Sequence, residues 1–157
     1  MRGVRTRARF SACRRYRYAL WRAWSDGPQV LFVMLNPSTA DECVDDPTIR
    51  RCIGFARSWG FGSVAVGNLF AFRTPDPSLL KRSTAPVGRD NDAWLRRLQR
   101  RAALTIAAWG NHGGFLGRGD AVRSLLASPH TLGLTRRGEP RHPLYVPASA
   151  PPLPWHA

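Results

Sequence analysis

Val30-Leu31-Phe32-Val33-Met34-Leu35 runs directly into Asn36-Pro37-Ser38-Thr39-Ala40-Asp41. Six apolar residues without alternation read as a strand buried on both faces, the pattern of a central strand in a parallel sheet. The Asn-Pro-Ser-Thr segment cannot continue such a strand and reads as an exposed loop. In open α/β sheets, ligands bind beyond the carboxyl ends of the strands. The functional site is therefore expected at this loop.

Toward the N-terminus, Asp26-Gly27-Pro28 marks a turn. Residues 16–24 set Tyr16, Tyr18 and Leu20 against Arg15, Arg17 and Ala19, which predicts a half-buried edge strand. Residues 1–15 hold Arg2, Arg5, Arg7, Arg9, Arg14 and Arg15 and few apolar positions. They are expected to form a basic arm that frays or lies along the surface.

Toward the C-terminus, Asp46-Pro47 supplies an N-cap followed by proline at the first helical position. Ile49, Cys52, Ile53 and Ala56 recur at helical spacing until Gly60. A second buried strand is expected over residues 63–69, then a proline-rich loop over 74–87 and a helix opened by residues 88–91 with Trp94, Leu95, Leu98 and Ala102 on one face. A third strand follows over 104–109, a short helix over 120–127 and a fourth strand over 131–134. The tail, 147–157, is proline-rich and is expected to lie extended across the body. This alternation predicts a single domain: a three-layer α/β/α sandwich around a short, mainly parallel sheet with an N-terminal edge strand.

The 157 residues suit one domain, and 43% apolar residues with six tryptophans support a packed core. No apolar run reaches the length of a membrane span, and no apolar stretch follows the basic N-terminus as in a signal peptide. Cys13, Cys43 and Cys52 form neither a disulfide framework nor a zinc pattern. The expectation is a reduced, cytoplasmic, monomeric protein without metal or cofactor and without a membrane partner. The formal charge of +14 favours a polyanionic partner, and Lys81 is the only lysine, so arginine carries nearly all of it. A GC-rich coding sequence would also enrich arginine.

Four loops are predicted at one end of the sheet: 36–41, 68–73, 110–114 and 141–145. They contain no GxGxxG, Walker lysine, GxSxG or HExxH pattern. They do contain asparagines that can read the edge of a nucleobase and a histidine that can donate to an oxygen gaining negative charge. A triad of Ser38, His142 and one of Asp41, Asp45 or Asp46 is a minor alternative.

Leu35-Asn36-Pro37-Ser38-Thr39-Ala40, Asp46-Pro47-Thr48-Ile49-Arg50-Arg51, Gly67-Asn68-Leu69-Phe70-Ala71, Ala108-Trp109-Gly110-Asn111 and Pro140-Arg141-His142-Pro143-Leu144-Tyr145 resemble the bacterial and phage domain-of-unknown-function family 1643. More distantly, the order of these motifs is similar to that of the uracil-DNA glycosylase superfamily. That resemblance implies a three-layer fold that accepts a base flipped from DNA and hydrolyses its glycosidic bond. It implies Asn36 and His142 as catalytic residues, Asn36 positioning water and His142 stabilising the departing base. It implies Asn68 as the base-reading residue, with Phe70 and Phe72 as candidate stacking partners.

Ser38, Thr39, Arg73 and Arg141 are assigned to phosphate, and Asp41, Asn111 and His112 to the remaining pocket. The sequence departs from the superfamily at Leu35, at Ser38 in place of a glycine, and at Leu144-Tyr145 after His142-Pro143. The expected function is a nucleobase- or nucleic-acid-binding protein, DNA being favoured over RNA or a free nucleotide, that acts as an N-glycosidase on a damaged or modified base. The rival is a binder that has lost the reaction.

Overall fold

The computed structural model describes residues 3–156. Seven strands form one sheet: β1 (Arg5–Phe10), β2 (Arg17–Ala23), β3 (Gln29–Met34), β4 (Ser63–Asn68), β5 (Leu104–Ala107), β6 (His130–Thr131) and β7 (Leu153–Pro154). Four α-helices accompany them: α1 (Pro47–Ser58), α2 (Pro77–Arg82), α3 (Asn91–Arg101) and α4 (Arg118–Leu125). The spatial order is β1-β2-β4-β3-β5-β6-β7. β3 pairs in parallel with both β4 and β5, and β5 with β6. The pairings β1–β2, β2–β4 and β6–β7 are antiparallel. The sheet is thus evenly mixed and wider than the short, mainly parallel one expected, because both ends of the chain add antiparallel strands to a parallel centre.

β3 is that centre, as its unbroken apolar run predicts. Val30 to Val33 are fully buried, and the two faces of the strand feed two separate cores. On one face Val30, Phe32 and Met34 pack with Ile49, Cys52, Phe55 and Ala56 of α1. On the other, Leu31 and Val33 pack with Leu95 and Leu98 of α3 and Val122 beside α4's core contacts. Gly67 in β4 permits this second packing: a Cβ there would lie 2.8 Å from a Leu95 methyl. α1 starts as read from sequence, with the Asp46 Oδ1 accepting the Ile49 N–H at 2.9 Å and Pro47 at the first turn.

Three local expectations change. The described part of the basic arm is not frayed: Arg5 to Phe10 pair with β2, with one register shift between Arg9 and Phe10, so β2 becomes an interior strand. Arg17, placed by alternation on the solvent side of β2, is 2% exposed, and Arg22 on the same strand is 0% exposed. The proline-rich loop contains α2, capped by Asp76, and the proline-rich tail contributes β7 against β6. Among the described residues no helix is long and apolar enough to cross a membrane.

Candidate functional site: a crevice at the carboxyl ends of the parallel strands

Residues from all four predicted loops line a single crevice of about 490 Å³ beyond the carboxyl ends of β3, β4 and β5. That volume lies in the ordinary range of small-ligand sites. Asn36, Asn68 and His142, separated by more than a hundred positions in the chain, all border it. Ser38, Asn111, His112 and Arg141 border it too, whereas Thr39, Asp41, Phe70, Phe72 and Arg73 do not.

The loop after β3 has few backbone partners of its own, and arginines from neighbouring segments satisfy its carbonyls. Arg17 Nη1 donates to Ala40 O at 3.0 Å. Arg22 Nη2 donates to Asp41 O and Val44 O at 2.6 and 3.2 Å, while its Nε pairs with Asp45 Oδ1 at 2.7 Å. Arg73 Nε and Nη2 donate to Ser38 O and Thr39 O, each at 2.9 Å. Carbonyls withdrawn from water need such donors. The phosphate role expected for Arg73 is thereby corrected: it holds the loop that shapes the crevice wall. Asp41 also works locally, its Oδ1 accepting the Cys43 and Val44 N–H groups at 2.8 Å. Those two bonds hold its carboxyl below the usual range.

Asn36 is part of the same scaffold. Its Nδ2 donates to Pro37 O, Phe72 O and Thr74 O at 3.1, 3.4 and 2.8 Å. Three surrounding carbonyls fix which end of the amide is the donor, so Oδ1 is left as an acceptor. Asn68 is the opposite case. It is 1% exposed, borders the crevice, and neither Nδ2 nor Oδ1 has a hydrogen-bond partner among the described residues. Its backbone is nevertheless firmly held: Asn91 Nδ2 donates to Asn68 O and Leu69 O at 2.9 and 3.0 Å. Arg118 adds two bonds to Leu69 O. An unpaired buried amide costs about 1–3 kcal/mol, so its orientation is maintained against a penalty.

His142 caps the 3₁₀ turn Pro143–Tyr145, its Nδ1 accepting the Leu144 N–H at 3.2 Å. That bond places the proton of the neutral ring on Nε2, making it a donor. Burial lowers the imidazole pKa from its ordinary value, against an opposing pull from Asp46, so the neutral form is favoured. The same bond removes the triad alternative, since a base in a triad must donate, not accept, at that nitrogen.

The stacking expectation also changes. Phe70 is fully buried in the core on the α3 face, where its ring meets Phe115 at 5.5 Å, and Phe72 packs edge-on to Tyr16. The aromatics at the crevice are Trp109 and Tyr145. Tyr145 is 74% exposed and lies 5.7 Å from the His142 ring. The Trp109 indole donates to Glu139 Oε2 at 2.8 Å and lies against Gly113, where a Cβ would collide with the ring at 2.0 Å.

Arg17 also borders the crevice, with Nε unpartnered among the described residues. Burial brings its guanidinium down to about 10, with Asp46 acting in the other direction, so it stays cationic at neutral pH. Period-two patterning hides Arg17 because it assigns arginine to solvent. The signal that could have found it is the cluster Asp41, Glu42, Asp45 and Asp46, a local excess of acids that calls for buried cations. Among the described residues no group of three or more His, Cys, Asp or Glu is gathered as metal ligands would be.

No curated protein and no solved structure matches the chain. A family model does match it, over residues 17–144, which run from the start of β2 into the 3₁₀ turn after His142 and so contain every crevice residue named above except Tyr145. The chain belongs to the family described as "Protein of unknown function (DUF1643)".

Proposed function

We propose that the crevice receives a nucleobase extruded from a nucleic-acid strand and that the protein hydrolyses its N-glycosidic bond. The observation that carries this reading is the buried, unpartnered amide of Asn68, an oriented donor–acceptor pair at the crevice. Paired amide groups of this kind match the amide edge of a base, and base binding would repay the standing penalty. The uracil-DNA-glycosylase-like arrangement belongs to the same proposal and rests on motif order and on this placement.

In the proposed reaction Asn68 reads the base edge while Tyr145 or Trp109 covers its face. Asn36 Oδ1 accepts a hydrogen bond from water below the anomeric carbon. The C–N bond breaks to give an oxocarbenium-like sugar and a base anion, which accepts a hydrogen bond from His142 Nε2–H. Water adds to the sugar, and its proton passes to the departing base through solvent. Arg141, partly committed to Tyr145 O at 2.6 Å, and Ser38 remain the candidates for phosphate. A preorganised donor at a developing anion is worth about 3–4 kcal/mol of barrier.

The test is incubation with duplexes containing uracil, a thymine mismatch or hypoxanthine, followed by alkaline cleavage at abasic sites. Strand breaks lost in Asn68→Leu support the reading, and absence of breaks with all three bases counts against hydrolysis. The non-catalytic rival draws on Asp46: the one carboxylate bordering the crevice among the described residues caps α1 and accepts the Ala40 N–H at 3.4 Å. It predicts saturable base binding without breaks.

A further inference from the structure

At the opposite rim of the sheet lies a second groove, of about 590 Å³, lined by Arg7, Trp21, Gln29, Trp94, Arg97, Leu98 and Arg101. Gln29 opens β3 and Met34 closes it, so one strand length, about 17 Å, separates this groove from the crevice. Two rows of guanidinium groups frame it. One comes from alternate positions of β1, where Arg7 sits 4.2 Å over the Trp21 ring and Arg9 5.7 Å from that of Trp94. The other comes from successive turns of α3, where Arg97 lies 4.4 Å over Trp94 and Arg101 follows one turn on. The two indoles meet edge to face at 6.0 Å and form the wall between the rows.

Arginine stems covering apolar surface are common, and stacking alone would not make a site. The second observation is electrostatic. Among the described residues no carboxylate lines the groove, and the side chains of Arg7, Arg9, Arg97 and Arg101 make no ion pair and donate no hydrogen bond. All four are exposed. The protein's well-placed acids are used elsewhere: Asp45 on Arg22 and Asp92, on α3 itself, on Arg118. Four like charges are thus gathered, three of them set over the indoles, with their N–H edges free and no internal compensation. Alternate strand residues stand about 6.8 Å apart, a repeat suited to consecutive phosphates of an extended strand. Planar, bidentate arginine is the residue that recognises such groups.

We propose that this groove binds the phosphodiester backbone of a nucleic-acid strand, as a site separate from the crevice and independent of any base. The probe is a fluorescein-labelled strand of about sixteen stable abasic nucleotides, which offers phosphates but nothing for Asn68 to read. Fluorescence anisotropy across a salt series compares the native protein with Arg7→Gln/Arg97→Gln/Arg101→Gln. A control, Arg50→Gln/Arg82→Gln/Arg89→Gln, removes the same charge from exposed positions elsewhere. The groove variant is expected to bind at least about tenfold more weakly, with the salt slope reduced by about 2, and the control to change by less than about threefold. Melting curves establish that both variants are folded. Equal weakening in both would reduce the effect to net charge and overturn the proposal, as would failure of the native protein to bind the abasic strand. Because the probe carries no base, these outcomes are independent of whether the crevice cleaves a glycosidic bond.

Discussion

Asn36 and Asn68 terminate neighbouring parallel strands and border the same crevice, yet they are treated oppositely. At the end of β3 the side chain is used and the backbone needs help: Asn36 Nδ2 ties three carbonyls, and Arg17, Arg22 and Arg73 secure the loop beyond. At the end of β4 the backbone is secured by Asn91 and Arg118 and the side chain is left idle. The first region is construction, while the second keeps a buried amide without partners among the described residues, at a cost in stability. Residue type alone does not distinguish them, and only the disposition of hydrogen bonds does.

The largest expected effect strikes the construction side. Asp45→Ala leaves the Arg22 guanidinium, whose side chain is 0% exposed, without its counter-ion. Removing one member of such a pair costs about 3 kcal/mol, or roughly 6–12 °C in melting temperature for a chain of this size. A calorimetric scan checks it, and a loss under 1 °C would mean that the buried Arg22 charge does not depend on Asp45. Asn36→Ala comes next. It withdraws a donor from three carbonyls and is expected to cost about 2 kcal/mol, measured by urea unfolding. A neutral result would erase the contrast with Asn68.

His142 sharpens the comparison through pH. Burial lowers its folded-state pKa below the value of the unfolded chain. As pH falls below about 6.5, the unfolded state takes up the proton first, so the native state loses stability progressively down through the lowered pKa. Above that window this group contributes no slope. The expected observation is a pH-dependent fall in midpoint below neutrality that is diminished in His142→Gln. For the proposed reaction, His142→Ala lowers turnover by about a hundredfold with base affinity nearly unchanged. Equal losses in both would make His142 a mere packing residue.

These particulars also show what a sequence can and cannot convey. The β3 strand, its polar loop and the Asp46-Pro47 start of α1 are local features, each written in adjacent residues, and the structure has them where they were expected. That four loops converge follows from strand–helix alternation, which orders the strand ends in space. β1 was missed because its Arg-Thr-Arg-Ala-Arg-Phe alternation carries guanidinium stems, not an apolar face, onto the sheet. Arg17 and Arg22 were missed because their partners are backbone carbonyls and an aspartate about twenty residues away, contacts that no periodicity encodes. Phe70 and Phe72 show the converse error: adjacency to a site residue does not determine which side of the sheet an aromatic ring joins.

Asn68→Leu is the smallest change in stability and the most direct test. Leucine has nearly the shape of asparagine and removes an amide without partners, so the variant is expected to melt at or slightly above the native temperature, by up to about 1 kcal/mol. In the same preparation, base excision or saturable base binding should disappear. A variant that melts lower while keeping base recognition would contradict the account, because the Asn68 amide would then be serving the fold and not a ligand.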